Sequence, residues 1–396
     1  MDRRDFLKAA GINAGALAVG MGLGAAPVAA NGQRAARANP AGGASDIAVV
    51  GAGAFGGWTA LYLREQGHAV ALVDQYGAGN ALASSGGESR QIRAGYGERE
   101  LYTRWVLQAF ERWEARQAEW GRKLFYRTGQ LSLADAWSTS LASTRGSFDR
   151  LQVPYEVLDL DEVRRRFPQI ATHDAAFGFY TPTTGVLKAR EGCVAVADAF
   201  ARQGGTVLDA RVEPGRRRGR TLLELKRADG GTVQASQFVF ALGPWLPKVF
   251  PALLGRKIQS PRRAVFFVAT PPGDNSYSYP NFPTWSAGGA YGFPSVEGRG
   301  FKLAPRIDEV LVDPDTQDRH VKPHELAAAR EFVARWFPGL RDQPLVDARI
   351  CQYENSVDSN LIVDRHPEFD NVWVVGVAPA TATSTGSCLA STWPTG

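Results

Sequence analysis

Residues suited to dinucleotide chemistry stand near the start of the chain. Gly51, Gly53 and Gly56 form a G-x-G-x-x-G turn, and Asp74 follows about twenty residues later. In such a turn the first glycine allows a tight bend, the second lets the backbone approach a pyrophosphate, and the third lets helix and strand pack closely. An acid in the position of Asp74 suits a ribose 2′-hydroxyl and would repel a 2′-phosphate. These four residues predict a dinucleotide site.

The segments around this turn have the pattern of one βαβ unit. An apolar, β-branched run at 47–50 precedes the turn, a segment of helical length follows it, and a second apolar run at 69–73 leads into Asp74. The pyrophosphate would meet the free N–H groups at the helix N-terminus, which adds Ala54 and Phe55 to the predicted cofactor contacts. A glycine-rich turn without a ligand is the alternative interpretation.

The composition is that of a soluble globular protein with room for two domains. The 396 residues are 44% hydrophobic, and 45 basic against 40 acidic side chains give a net charge of +5. This excess is small and spread along the chain, so it does not favour a nucleic acid partner. The three cysteines show neither a disulfide framework nor a zinc pattern, and the five histidines show no ligand spacing. We therefore expect no metal site.

The N-terminus has the pattern of an export signal. Arg3 and Arg4 lie in the stretch RRDFLK, which resembles a twin-arginine motif, and a Gly- and Ala-rich apolar stretch follows it up to a small-residue cleavage site at 28–30. That stretch contains too little Leu, Ile and Phe for a membrane span. We expect residues 1–30 to engage the twin-arginine (Tat) export machinery, 31–45 to form a flexible spacer, and the mature protein to be periplasmic. A disordered basic leader is the alternative.

The remaining segments predict a discontinuous α/β architecture. Helical periodicity is visible at 100–120, and a further helix is predicted from 323 to 336. Strand-like segments near 206–242 and 345–375 could complete the sheet that the βαβ unit starts. The expected nucleotide-binding domain comprises 46–121, 187–256 and 345–396, and the expected second domain comprises 122–186 and 257–344.

Six segments, taken together and in order, resemble the D-amino-acid-oxidase-like flavoproteins, and within them the monomeric sarcosine oxidase and N-methyl amino acid oxidase group. They are VVGAGAFGGWTALYL, SSGGESRQIRAGYGE, GVLKAREG, VFALGPW, AYGFPSVEGRGFKL and CQYENSVDSNLIVDRHPE, within about residues 46–375. The resemblance implies that the cofactor is FAD. It also implies a Rossmann-type FAD-binding domain beside a mostly antiparallel β-sheet substrate domain.

The same resemblance assigns roles to three basic residues. Arg90 matches an arginine close to the flavin, and Arg93 matches one that binds the substrate carboxylate, a role suited to a bidentate guanidinium. Lys302 matches the lysine that activates oxygen, because a fixed ammonium stabilises the charge that develops on reduced oxygen. The alternatives are a solvated helix face for the arginines and an exposed strand position for the lysine. Ser85 and Gly86 stand where sarcosine oxidases carry two histidines.

Cys351 matches a cysteine that bonds covalently to the flavin 8α position, as a thiolate nucleophile can. A buried structural cysteine is the alternative. The resemblance also implies further cofactor contacts, which are Ser84, Ser89, Val212, Gly243 and Trp245.

The predicted activity is therefore FAD-dependent oxidation of a CH–NH group. The substrate would be a secondary amine or an N-methyl or cyclic amino acid, the product an imine, and O2 would be reduced to H2O2. One alternative is an FAD-dependent amino acid dehydrogenase that passes electrons to a quinone or carrier.

The tail after Gly376 departs from the family. Relatives continue into a turn resembling G-S-G-H-G-x-K, whereas this chain reads VAPATATSTGSCLASTWPTG. If the codons for residues 376–386 are read in a shifted frame that starts at the third base of each codon, the genetic code permits the family motif with its lysine. We therefore interpret the tail as translated in a shifted frame, which makes an inactive product a third alternative.

Overall fold

The structure is a computed structural model that describes residues 45–307 and 309–376. The predicted export signal, the spacer up to residue 44 and the tail after Gly376 lie outside the described residues. Within those two ranges, no helix has the length and apolar character needed to cross a membrane.

The elements of the described residues alternate between short strands and helices. The strands are β1 Ser45–Val50, β2 Val70–Asp74, β3 Arg90–Arg93, β4 Phe125–Arg127, β5 Gln130–Ala134, β6 Glu156–Leu158, β7 Phe177–Thr181, β8 Thr184–Leu187, β9 Thr206–Asp209, β10 Val212–Pro214, β11 Arg217–Arg218, β12 Thr221–Leu222, β13 Glu224–Arg227, β14 Thr232–Phe240, β15 Ile258–Gln259, β16 Arg262–Val268, β17 Thr284–Ala287, β18 Ala290–Phe293, β19 Phe301–Pro305, β20 Leu345–Gln352, β21 Asn355–Ser356, β22 Ile362–Arg365 and β23 Val372–Gly376. The helices are α1 Ala54–Glu65, α2 Glu100–Trp120, α3 Thr139–Leu151, α4 Leu160–Arg166, α5 Ala189–Arg202, α6 Leu246–Val249, α7 Pro251–Leu254 and α8 Pro323–Trp336, with 3-10 turns at Gly243–Trp245 and Pro338–Leu340. The predicted helices at 100–120 and 323–336 are confirmed.

The first sheet is built around β1 and β2, whose apolar residues are buried. β1 pairs in parallel with β2 and β14, β2 with β9, and β14 with β23. Strands β13, β10 and β22 extend the sheet by antiparallel pairing. Near-continuous apolar runs are typical of strands covered on both faces, and α1 supplies cover through buried residues such as Trp58 and Leu61.

The second sheet has eight strands in the order β20-β16-β19-β18-β17-β5-β7-β6. All of its pairs are antiparallel except β17 with β5. A parallel sheet with a mostly antiparallel second sheet is the predicted fold class, which is thereby confirmed. A smaller antiparallel sheet, β3-β8-β4, is formed beside them.

One strand differs from the predicted division of the chain. Residues from 345 onward were expected in the first domain, but β20 pairs along β16 in the second sheet. The cause is tertiary, because Ile350 lies opposite Ala264 and both are buried in the core of that sheet. The domain boundaries as a whole stay a prediction.

The two faces of the second sheet have opposite characters. One face carries an aromatic core in which Trp285 stacks on Phe301 at 5.8 Å and meets Phe337 at 4.7 Å. Because strand side chains alternate between faces, burying Phe301 in this core directs Lys302 to the other side. Lys302 lies in register with Phe267 on β16 and Phe293 on β18. The aromatic core therefore leaves the opposite face, which carries Lys302, as the face of this sheet that can contribute reactive side chains.

A buried ion pair ties α8 to this sheet. The Glu325 carboxylate accepts hydrogen bonds from both Arg262 guanidinium nitrogens and from the Lys322 N–H at the start of α8. The Arg262 and Glu325 side chains are only 10% and 3% exposed. The next residue of β16, Arg263, pairs with Glu309, whose side chain is 55% exposed.

We expect Glu325→Gln to lower the free energy of unfolding by about 3 kcal/mol, because it leaves the buried Arg262 charge uncompensated. Asp370→Asn is the matched control and should change it by less than about 1 kcal/mol, because the Asp370 and Arg220 side chains of this pair are 58% and 57% exposed and exposed pairs contribute little. Urea unfolding of both variants measures the difference. Equal losses would contradict this account of how α8 is held.

Candidate functional site

A cleft of about 640 Å³ opens at the carboxyl ends of β1, β2 and β14. Its wall includes the glycine turn, the segment after β2, strands β10 and β13, and the turn that follows β14. We call it the nucleotide cleft. In a parallel sheet this edge is where ligands bind, because the loops of neighbouring strands diverge there.

Two of the glycines are required by close backbone contacts. Gly51 has a φ of +105°, and a Cβ on it would lie 2.3 Å from the carbonyl oxygen of Ala241. A Cβ on Gly56 would lie 1.8 Å from the carbonyl oxygen of Gly51. Gly53 precedes α1, whose first turn has no side-chain cap. The first N–H groups of α1 can therefore donate hydrogen bonds to an anion.

Asp74 forms part of the cleft wall at the end of β2. Its two carboxylate oxygens accept hydrogen bonds from the Ala52 N–H at 2.7 Å and the Tyr76 N–H at 2.8 Å. Burial raises the pKa of Asp74, although these backbone hydrogen bonds oppose the shift. The carboxylate is thus oriented beside the glycine turn, where it can accept a further hydrogen bond from a hydroxyl.

Unsatisfied polar atoms in the cleft wall show that the cleft fits a polar ligand. The Ser84 hydroxyl oxygen and the Oε2 atom of Glu354 are buried without a hydrogen-bond partner in the described part of the chain, and both residues line the cleft. Buried polar groups are normally hydrogen-bonded, so these two atoms lack what a bound nucleotide would supply. With the uncapped helix and Asp74, the residues present fit FAD.

A group of basic residues surrounds Cys351 beside the cleft. An Arg90 Nη atom donates to Cys351 Sγ at 2.7 Å and to the Ser84 carbonyl at 2.6 Å. Lys302 Nζ donates to the Ser89 carbonyl at 2.8 Å. Arg349 and Cys351 lie on the same sheet face as Lys302, since they are opposite Val265 and Arg263 on β16. We call Arg90, Lys302, Arg349 and Cys351 the basic centre.

The charges of the basic centre give the two buried thiols, Cys193 and Cys351, different pKa values. Burial raises the pKa of the Cys193 thiol to about 11, although a hydrogen bond with Ser85 and the charge of Arg90 oppose the shift. Burial also opposes ionisation of Cys351, but the charges of Arg90, Lys302 and Arg349 together hold its pKa below the ordinary value. Cys351 is therefore the thiol in the described residues that is prepared to react as a thiolate.

Lys302 is buried, with 2% of its surface exposed. Burial, reinforced by the nearby Arg90 charge, holds the pKa of Lys302 well below its ordinary value. Its Nζ lies 4.6 Å from the centroid of the Phe293 ring, whose face stabilises the ammonium form. The lysine is thus held by Ser89 and an aromatic face rather than by an ion pair.

Two tyrosines complete the same face of the second sheet. The hydroxyls of Tyr291 and Tyr353 lie 2.8 Å apart and share a hydrogen bond. Burial raises the pKa of Tyr291 well above its ordinary value, and the neighbouring Tyr353 adds to the shift. Tyr291 therefore remains a neutral hydrogen-bonding group next to the basic centre.

The structure places the predicted residues in two adjoining regions, although their roles as cofactor contacts stay predictions. Gly56 packs beneath the glycine turn, while Ser89, Arg90, Lys302 and Cys351 lie in or against the basic centre. The predicted residues that line the nucleotide cleft are Gly51, Gly53, Ala54, Phe55, Asp74, Ser84, Val212, Gly243 and Trp245.

Arg93 is not brought to the basic centre. Arg90 and Arg93 lie on strand β3, not on a helix, so residues three apart point to opposite faces. The Arg93 guanidinium donates to the Gly95 carbonyl and lies 4.7 Å from the centroid of the Tyr96 ring. Its role in binding a carboxylate stays a prediction.

Four residues of the site were missing from the sequence prediction, namely Tyr291, Arg349, Tyr353 and Glu354. A strand assignment with the correct pairing would have found Arg349, because it lies two residues before Cys351 and shares its face. No local pattern distinguishes Glu354 from an exposed acid.

Comparisons with known proteins agree with this geometry. A family model described as FAD dependent oxidoreductase (DAO) matches residues 46–390. The monomeric sarcosine oxidase of Bacillus sp. (strain B-0618) is 29% identical over 341 residues, covering 83% of this chain and 85% of that protein. The N-methyl-L-tryptophan oxidase of Yersinia pestis (strain Pestoides F) is 26% identical over 345 residues, covering 83% and 88%.

Among solved structures, glycine oxidase from Geobacillus kaustophilus is similar in fold, with a TM-score of 0.74 at 20% sequence identity. The match covers 88% of this chain and 93% of that one.

Proposed function

Because the chain belongs to the family of FAD-dependent oxidoreductases that act on amines and amino acids, we propose that it is an oxidase of secondary amines. The substrate class is N-methyl or cyclic amino acids, the product is an imine, and O2 is reduced to H2O2. The observation that carries the proposal is the buried Lys302 ammonium, held by Ser89 in a centre that adjoins the nucleotide cleft.

The residues of the nucleotide cleft would hold FAD, with Asp74 toward a ribose and the N-terminus of α1 toward the pyrophosphate. Bound FAD supplies the acceptor for two electrons from the substrate C–H bond and passes them to O2. The protein contributes binding, orientation and a fixed electrostatic field.

The basic centre supplies that field. Arg90 keeps its charge at all relevant pH values and holds its position through Ser84, Ser89 and Cys351. A positive field favours the negative charge that develops on oxygen as it is reduced. Burial and the Arg90 charge hold the pKa of Lys302 well below its ordinary value, so its Nζ releases a proton more readily than that of an exposed lysine. Formation of H2O2 from O2 consumes two electrons and two protons, which balances the oxidation of amine to imine.

Arg93 is our proposed ligand for the substrate carboxylate. Its guanidinium uses one nitrogen for the Gly95 carbonyl, and a guanidinium has five N–H donors in all. Stacking on Tyr96 fixes the plane in which the remaining donors lie. Sarcosine and N-methyl-L-tryptophan, named by the relatives' activities, therefore belong in the first substrate screen.

We expect the purified protein to be yellow and to form one H2O2 per imine with an N-methyl or cyclic amino acid. Lys302→Met should slow reoxidation of the reduced protein by O2 by about 10²- to 10³-fold, because it removes a preorganised charge. The exposed Lys257→Met is the matched control and should keep the rate. Rapid-mixing spectroscopy with O2 measures it.

Three outcomes would contradict the oxidase proposal. Turnover that needs an added dye and yields no peroxide would indicate the dehydrogenase. An unchanged reoxidation rate in Lys302→Met would remove the proposed role of that residue. Colourless protein that takes up no FAD would indicate the inactive product of a shifted frame, which resequencing the gene around codon 376 checks directly.

Cys351 is our proposed attachment point for FAD. Its lowered pKa makes a thiolate available, and Sγ would form a thioether with the flavin 8α carbon. One C–H proton leaves in that step and two electrons pass to O2. The neighbouring arginine hydrogen bond holds the sulfur in place at 2.7 Å.

If this is correct, acid precipitation of the protein should leave the flavin in the pellet. Cys351→Ser should release it to the supernatant, whereas Cys193→Ser should retain it, because the pKa of Cys193 is about 11. Absorbance of the two fractions measures the partition. Release of all flavin from the unaltered protein would contradict covalent attachment.

We propose that the protein is exported through the twin-arginine route and acts in the periplasm. The supporting observation is the Arg3-Arg4 motif and its apolar stretch, which precede the family match at residue 46. That route carries folded proteins, which suits a cofactor loaded before export.

Arg3→Lys combined with Arg4→Lys should therefore retain the protein in the cytoplasm, while Arg34→Lys combined with Arg37→Lys should not. Cell fractionation and immunoblotting measure the distribution. Equal periplasmic amounts in both double variants would contradict the proposal.

A further inference from the structure

Glu354 is a buried acid in the wall of the nucleotide cleft. It lies between β20 and β21 and is 5% exposed. Among the residues that the structure describes, its Oε2 atom has no hydrogen-bond partner. An unpartnered carboxylate at such a position would be costly, so the group needs either a proton, a ligand or both.

The adjacent turn is shaped to admit this carboxyl group. Gly243 has a φ of +53°, and a Cβ on it would lie 2.3 Å from Glu354 Oε2. A glycine at this position therefore leaves the space that the carboxyl occupies. Ala241, two residues earlier, is the residue whose carbonyl touches Gly51. Glu354 thus lies against the turn that follows β14, and it comes three residues after Cys351 along the chain.

We propose that Glu354 is a protonated hydrogen-bond donor to bound FAD, so that FAD binding is coupled to a proton held on this carboxyl group. FAD carries a pyrophosphate with two negative charges, and an ionised carboxylate at the same wall would repel it. A neutral carboxyl group instead offers one O–H donor. The inference rests on FAD as the cofactor and not on the identity of the amine.

The electrostatic surroundings support this assignment. Burial raises the pKa of Glu354 to about 8, and no neighbouring charge contributes to the shift. Along the chain its nearest ionisable neighbours are Tyr353 and Cys351, and neither forms a hydrogen bond with it among residues 45–307 and 309–376. Elsewhere the charged side chains that line the cleft are Asp74, Arg211, Glu213, Lys226, Arg227, Lys248 and Asp315.

These other groups have partners or exposure of their own. Asp74 accepts two backbone hydrogen bonds, Lys226 pairs with Glu213 at 3.6 Å, and Lys248 pairs with Asp315 at 2.6 Å. Glu354 differs from them because it is deeply buried and its Oε2 has no partner in the described structure. We therefore expect the pH dependence of FAD binding to follow the protonation of Glu354 rather than that of another group in this wall.

The direction of the pH effect follows from the raised pKa. Below about pH 8 the Glu354 carboxyl group is protonated and can donate a hydrogen bond. Above about pH 8 the fraction of the protein with a protonated Glu354, which is the form competent to bind FAD, falls. The apparent Kd for FAD should then rise about tenfold for each further pH unit, because only the competent fraction binds.

The test uses the full chain with Cys351→Ser, which keeps FAD binding reversible, and measures Kd by flavin fluorescence between about pH 6 and about pH 10. We expect a constant Kd at low pH and the rise described above. Adding Glu354→Gln should keep tight binding and abolish the rise, because the amide donates at every pH. Adding Glu213→Gln, an exposed acid in the same cleft, should leave the rise unchanged.

A second variant guards against a change in folding. Glu354→Ala should weaken FAD binding at low pH, where the unaltered chain binds tightly, while its circular dichroism spectrum is unchanged. The proposal is overturned if Glu354→Gln shows the same rise as its parent, if the parent shows none, or if it binds no FAD at about pH 6. Each readout is a binding constant, so failure of the oxidase proposal is a separate result.

Discussion

The interaction on which the site depends is the hydrogen bond from Arg90 to the buried sulfur of Cys351. It joins strand β3 to strand β20, and the same guanidinium binds the carbonyl groups of Ser84 and Ser89. A buried thiolate needs a compensating charge, and Arg90 supplies one that cannot be lost by titration. This contact therefore links the cleft wall, the small sheet and the second sheet into one site.

The second sheet makes that contact possible because one of its faces packs in the core while the other face carries the charged and reactive side chains. Its aromatic face, with Trp285 and Phe301, is buried against α8, so alternate residues must face the other way. Lys302 on β19 and Arg349 and Cys351 on β20 are three such residues, on the two strands that flank β16. The Lys302 and Arg349 charges repel each other but both favour the Cys351 thiolate, and the resulting positive field is what oxygen reduction can use.

Features encoded locally could be predicted from the sequence. The glycine turn, Asp74 and the helices at 100–120 and 323–336 depend on short-range backbone geometry and periodicity. The position of β20 could not, because strand pairing is decided by which core buries Ile350. The sequence also did not show that Arg90 and Arg93 lie on a strand, where residues three apart point to opposite faces. The burial of Glu354 could not be predicted either, because it depends on Gly243, which is distant in sequence and lies against the carboxyl group.

In the proposed function, the nucleotide cleft and the basic centre together form one flavin site. A crystal structure of the FAD-loaded protein tests this most directly. The account predicts the pyrophosphate at the N-terminus of α1, the adenosine half beside Asp74 and Val212, and the flavin ring against Arg90 and Cys351. A flavin ring that lies away from Arg90 and Cys351, with the adenosine half still in the cleft, would contradict it.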